Sequence, residues 1–166
     1  MSKLRGNPHT REAWIRGDQD VLNLDSYTNE AIESGHSWVQ RMFPMLIEPL
    51  STNKAVVPED INAIREIWGD KLPQIFDRNL SRFAKFLAQD PRAMRRQGET
   101  HNHNEQRITR MLISSVDFGF PELALKFWRL VGEAYQQRAA LVPRGTYEKY
   151  WRPVIERAKT EIKGAP

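Results

Sequence analysis

The chain reads as an all-α protein, a single compact multi-helix domain of about six helices. Three observations predict this. Apolar residues recur at intervals of three and four along most of the 166 residues. No stretch alternates apolar with polar as a half-buried strand would. Proline, glycine and N-cap residue types fall where such periodic segments begin and end. A hydrophobic fraction of 40%, with five Trp, seven Phe and four Tyr, supplies a core at this length without disulfides. No internal repeat or low-complexity tract is present.

The elements follow in order. Residues 1–24 hold Gly6, Pro8, Gly17 and a polar run, with only Trp14, Ile15, Val21, Leu22 and Leu24 able to pack, so a partly ordered N-terminal arm is expected. The helical domain, 25–162, begins with one helix from about Ser26 to Pro44, carrying Ile32, His36, Val39 and Phe43 on one stripe. A loop spans 45–57. Pro58-Glu59-Asp60 then makes a helix first turn, since proline loses no intrahelical bond there and acids suit the dipole. Ile61, Ile64 and Trp68 form its face, and Gly69 stops it. From Leu72, residues Phe76, Leu80, Phe83 and Leu87 recur at helical spacing until Asp90-Pro91.

Residues 90–101 read as a basic linker with Arg92, Arg95 and Arg96. Asn102 and Glu105 have the spacing of a reciprocal capping pair that opens the next helix. On it Ile108, Met111, Leu112, Ser115 and Gly119 share one side, whereas His103, Arg107, Arg110 and Ser114 line another. Pro121-Glu122 opens a helix bearing Leu123, Phe127, Leu130, Val131, Ala134 and Leu141, closed by Pro143. Thr146 is placed to cap a last helix that Pro153 must kink or split.

Composition excludes several function classes. With no cysteine there is no disulfide framework, thiolate zinc site or cysteine nucleophile, and a reducing, cytoplasmic setting is expected. The N-terminal residues lack the apolar stretch of a secretory signal, and no segment is apolar for long enough to span a membrane. The 25 basic residues are nearly balanced by 21 acidic ones, so the net charge of +4 is weak support for nucleic-acid binding. The Gly-x-Gly-x-x-Gly, Gly-Lys-Ser/Thr, Gly-x-Ser-x-Gly and His-Glu-x-x-His motifs are absent. Whether the chain is an enzyme, and with what cofactor, is not written in these residues.

Two segments, His36-Ser37-Trp38-Val39-Gln40-Arg41-Met42-Phe43-Pro44 and Asn102-His103-Asn104-Glu105-Gln106-Arg107-Ile108-Thr109-Arg110-Met111-Leu112, carry a likeness to a known pattern. Together with Asn53, Pro58, Leu80, Arg82, Phe83 and Phe86, they resemble the conserved N-terminal region of the opioid growth factor receptor family over roughly residues 24 to 135. Ser37 stands where that family has Asp, Arg41 where it has Trp, and Phe86-Leu87-Ala88 where it has Phe-Tyr-Gly. The resemblance implies an all-helical domain with a binding role; the vertebrate member is regarded as a receptor for an enkephalin peptide.

The residues themselves suggest three functions. The leading one is a ligand- or peptide-binding module, with an anion-binding groove lined by His36, Gln40, His103, Asn104, Arg107 and Arg110 for an anionic small molecule or peptide carboxylate. The competing structural reading has Arg107 and Arg110 pairing with carboxylates of neighbouring helices, and His36 hydrogen-bonded in the core. A second function is a metal-dependent helical-bundle enzyme with Glu33, His36 and His103 as ligands, Glu99 and His101 in support. A third is a nucleic-acid-binding accessory protein using Arg92, Arg95, Arg96, Arg107 and Arg110 as one patch.

Overall fold

The structure, a computed structural model, describes residues 8–35, 38–46 and 58–164. It is all-α. The framework is three long helices, α6 (Lys71–Gln89), α7 (His103–Asp117) and α8 (Pro121–Gln137), with α10 (Arg152–Gly164) against α7 and α8. Short helices cover the rest: α1 (Pro8–Arg16), α2 (Gln19–Leu22), α3 (Asn29–Ser34), α4 (Trp38–Met42), α5 (Pro58–Trp68) and α9 (Arg144–Thr146).

α6 organises the core because its apolar residues fall on one face through five turns. Phe76 meets Phe43, Phe118, Phe120 and Trp14 at ring-centre distances of 5.6, 5.0, 5.3 and 6.1 Å. Two turns on, Phe83 meets Trp38, Phe86 and Phe127. Each buried aromatic contributes about 1.5–3 kcal/mol by removal from water, which anchors the short helices to α6. The expected faces of α5 and α6 are found, with Ile61, Ile64, Leu72, Phe76, Leu80, Phe83 and Leu87 buried and Trp68 partly buried against the core.

The segment expected as an arm is built in from residue 8 onward. Trp14, Val21 and Leu24 are fully buried, and the Trp14 indole donates to Arg41 O at 2.8 Å. The Trp68 indole donates to Trp14 O at 2.9 Å, tying α1 to α5. Buried Asn79 receives Leu24 N–H at 2.9 Å and donates to Leu22 O at 3.2 Å, fixing the junction after α2.

Three sequence expectations are corrected. The single helix from Ser26 to Pro44 is broken, since α3 ends at Ser34 and Gly35 is extended at φ −71°, ψ 141°. A Cβ on Gly35 would stand 2.8 Å from both Ala31 O and the Trp38 ring, so the chain passes only where no side chain stands. Leu141 does not extend the core face of α8. That helix stops at Gln137, with Ala139 at φ +52° and Ala140 N–H returning to Tyr135 O, and Leu141 is 93% exposed. Pro153 does split the last helix as expected, since a π-helical turn, Tyr147–Trp151, separates α9 from α10 just before it. Thr146 is helical and donates its hydroxyl to Glu105 Oε1 at 2.9 Å instead of capping.

Candidate functional site

Asn102 caps α7 as its sequence predicts, its side-chain oxygen accepting Asn104 N–H at 2.9 Å. Glu105 does not reciprocate. Its carboxylate is turned inward to a two-pronged pair with Arg95, at 2.7 and 2.8 Å, and to Thr146. A fork-shaped guanidinium on a buried carboxylate outweighs a single bond to a backbone N–H.

The polar stripe of α7 is an internal face. Arg107 and Arg110 are only 6% and 8% exposed, and each donates to backbone carbonyls of the short helices. Arg107 donates to Ile32 O at 2.6 Å, to Glu33 O at 3.4 Å, to Gly35 O, and to Asn104 Oδ1 at 2.9 Å, while its plane lies 5.2 Å from the centre of the Trp38 ring. Arg110 donates to Phe43 O at 2.8 Å and Gln40 O at 3.3 Å. These are the end carbonyls of α3 and α4, which have no intrahelical donor and carry the negative end of the dipole. Burial pushes the Arg107 guanidinium down to about 10, with the charge of Glu33 acting in the opposite direction. It is still cationic at neutral pH.

The predicted anion groove is therefore not an open site. Of its residues, His36 lies outside the described residues, Gln40 contributes its backbone carbonyl to Arg110, and Asn104 is fully buried between Arg107 and Glu33. His103 alone is substantially exposed, at 45%. The nucleic-acid patch does not assemble either. Arg92 is held by Asp90 and Glu30 and Arg95 by Glu105, leaving Arg96 as the one member of the five that is mostly exposed.

What the structure does bring together is part of the metal set. His103 Nε2 lies 3.1 Å from Glu33 Oε2, and Asn104 Nδ2 donates to the other oxygen of Glu33 at 3.0 Å. α3 ends at Ser34 with Gly35 extended, and His36, the third member of that set, lies outside the described residues. Among the described residues, no three His, Asp or Glu side chains stand close enough to hold an ion as they are. Around the Glu33–His103 pair is a depression of about 250 Å³, lined by Glu33, Arg92, Arg96, Glu99, His101, Asn102 and His103.

Sequence reasoning missed the wider use of arginine. Arg138 donates to Leu87 O, Asp90 O and Pro91 O where α6 ends, Arg78 to Leu22 O where α2 ends, and Arg65 to Phe118 O where α7 ends. At α2 the available signal was the shortness of the helix, whereas the ends of the long α6 and α7 offered none. A helix of four to six residues leaves most of its carbonyls without an internal donor.

No described helix is long and apolar enough to cross a membrane. No protein-family model matches this chain, and neither a curated protein nor a solved structure matches it.

Proposed function

We propose that this protein is a binding module whose ligand, an anionic small molecule or a peptide carboxylate, enters the depression at the start of α7. The observation that carries the reading is the state of two lining side chains. Arg96 is 70% exposed, with its Nε only loosely paired to Glu99 at 3.8 Å, and His101 beside it is exposed. A planar guanidinium that is held at one edge can still offer its other donors to a carboxylate. Arg107 and Arg110 hold the floor in place and do not touch the ligand.

The likeness to the opioid growth factor receptor conserved region is part of this proposal. The described parts of its two segments pack directly on each other, Arg107 against Trp38 and Arg110 against Phe43, which is what a shared structural core requires. Those side chains are structural, so the likeness speaks for a common framework and not for a common ligand.

Calorimetric titration with short peptides bearing either a free or an amidated C-terminus tests the reading. Binding of the free acid, weakened about tenfold or more by Arg96→Ala, is expected from loss of one charged hydrogen bond of about 1.5–3 kcal/mol. Equal binding of acid and amide, or none at millimolar peptide, refutes it.

A further inference from the structure

The depression at the start of α7 is lined by charges of both signs. Arg92 and Arg96 share it with Glu33 and Glu99, so two guanidiniums are balanced by two carboxylates, alongside the imidazoles of His101 and His103. A ligand that is only an anion is attracted by the arginines and repelled by the glutamates at similar range, and like-charge contacts count against binding. A ligand that carries a cation close to its carboxylate turns the same repulsion into a second attraction.

Both glutamates have acceptor capacity left, since an ionised carboxylate offers about four lone-pair sites. At Glu33, Oε1 takes Asn104 Nδ2 at 3.0 Å and Oε2 stands 3.1 Å from His103 Nε2. At Glu99, Oε1 accepts the Arg96 N–H and meets the Arg96 side chain only at 3.8 Å, and the carboxylate is 36% exposed. Glu33 is also held in place from behind. Asn104, which fixes it, is itself held by Arg107 at 2.9 Å and by the cap at Asn102. A carboxylate fixed in advance spares its ligand the cost of ordering it. On the other side of the balance, Arg92 is taken up by Asp90 and Glu30, which leaves Arg96 as the partner for an anion.

We propose that the ligand is a basic amino acid, free or at the C-terminal end of a peptide, with its carboxylate on Arg96 and His101 and its side-chain cation on Glu33 and Glu99. The carboxylate half rests on the function proposed above; the cationic half is new. The space agrees with it. The depression measures about 250 Å³, below the roughly 300–1,000 Å³ of sites for drug-sized ligands, so it admits a single residue and not an extended chain.

The test is calorimetric titration of the full chain with three tetrapeptides that differ only at the last residue: lysine acid, lysine amide, and norleucine acid, which has the lysine stem without its charge. Lysine acid is expected to bind about tenfold or more tighter than norleucine acid, the worth of one charged hydrogen bond. Glu33→Gln and Glu99→Gln should each erase most of that advantage while leaving norleucine acid unweakened. Glu99→Gln, on the exposed turn, keeps the test independent of the Asn104–Glu33 bond. Free lysine that matches the peptide identifies the single amino acid as the source, and a much tighter peptide identifies the chain end. Lysine and norleucine acids that bind alike, both better than the amide, overturn the cationic half and leave the carboxylate site standing. Equal binding of lysine acid and lysine amide overturns the carboxylate site itself. A lysine advantage that survives both glutamate variants puts the cation elsewhere and also overturns the assignment.

Discussion

Replacing Arg107 by lysine separates a fold-holding cation from a ligand-holding one. The guanidinium reaches Ile32 O and Asn104 Oδ1 from one nitrogen, and Glu33 O and Gly35 O from the other, while lying against Trp38. A lysine ammonium is a point donor on a longer stem and spans only one side of that set. One or two buried carbonyls then lose their donor, each costing about 1–3 kcal/mol. We expect Arg107→Lys to lower stability by about 2–4 kcal/mol, which in a domain of this size lowers the melting temperature by about 5–12 °C. Urea and thermal unfolding followed by circular dichroism measure it, with exposed Arg96→Lys as the control that stays within about 0.5 kcal/mol. A loss below about 1 kcal/mol for Arg107→Lys would refute the assignment of this arginine to the C-terminal carbonyls of α3.

Further outcomes follow from single positions. Ala139→Gly relieves a left-handed conformation at φ +52° and should stabilise the protein by about 1 kcal/mol in the same unfolding assay. Gly119→Ala should destabilise by about 2 kcal/mol or more, because φ is +85° and the new Cβ would stand 2.5 Å from Arg65 Nη1, displacing the cation from Phe118 O. Leu141→Ser should change stability by less than about 0.5 kcal/mol, since the side chain is 93% exposed. Arg92, chiefly by its side-chain hydrogen bonds, holds the Asp90 carboxyl below its ordinary value. The folded state therefore binds fewer protons at acid pH, and this stabilisation is present at neutral pH and lost as pH falls from about 4 through the lowered folded value. Asp90→Asn should flatten that acid limb in unfolding measured against pH.

How far the chain was legible differs by element. α5, α6 and the apolar side of α7 announced themselves because long periodic faces and proline or asparagine starts agree with one another. Ala139 did not announce the end of α8, since alanine is the best helix former and only the closing bonds to Tyr135 and Gln136 reveal the left-handed turn. The helical spacing of His103, Arg107 and Arg110 was read correctly as a shared side of α7, but spacing says nothing of what that side meets. It meets two helix ends, and those ends existed only because Gly35 and Pro44 interrupt the apolar stripe before them. Contact between His103 and Glu33 was within reach of the sequence as a pair. The rest of the depression depends on the turn at 94–101, whose path no periodicity encodes.

The arginine contacts also set a dependence among the helices. Helices of four to six residues, α2, α3 and α4, have too few internal bonds to persist alone in water. Their closing donors come from residues 78, 79, 107 and 110, some 56 to 75 positions later in the chain. α2, α3 and α4 thus depend for these closing bonds on α6 and α7. Amide exchange in α2, α3 and α4 should consequently rise and fall together, as one unit whose opening leaves the α6–α7–α8 frame intact.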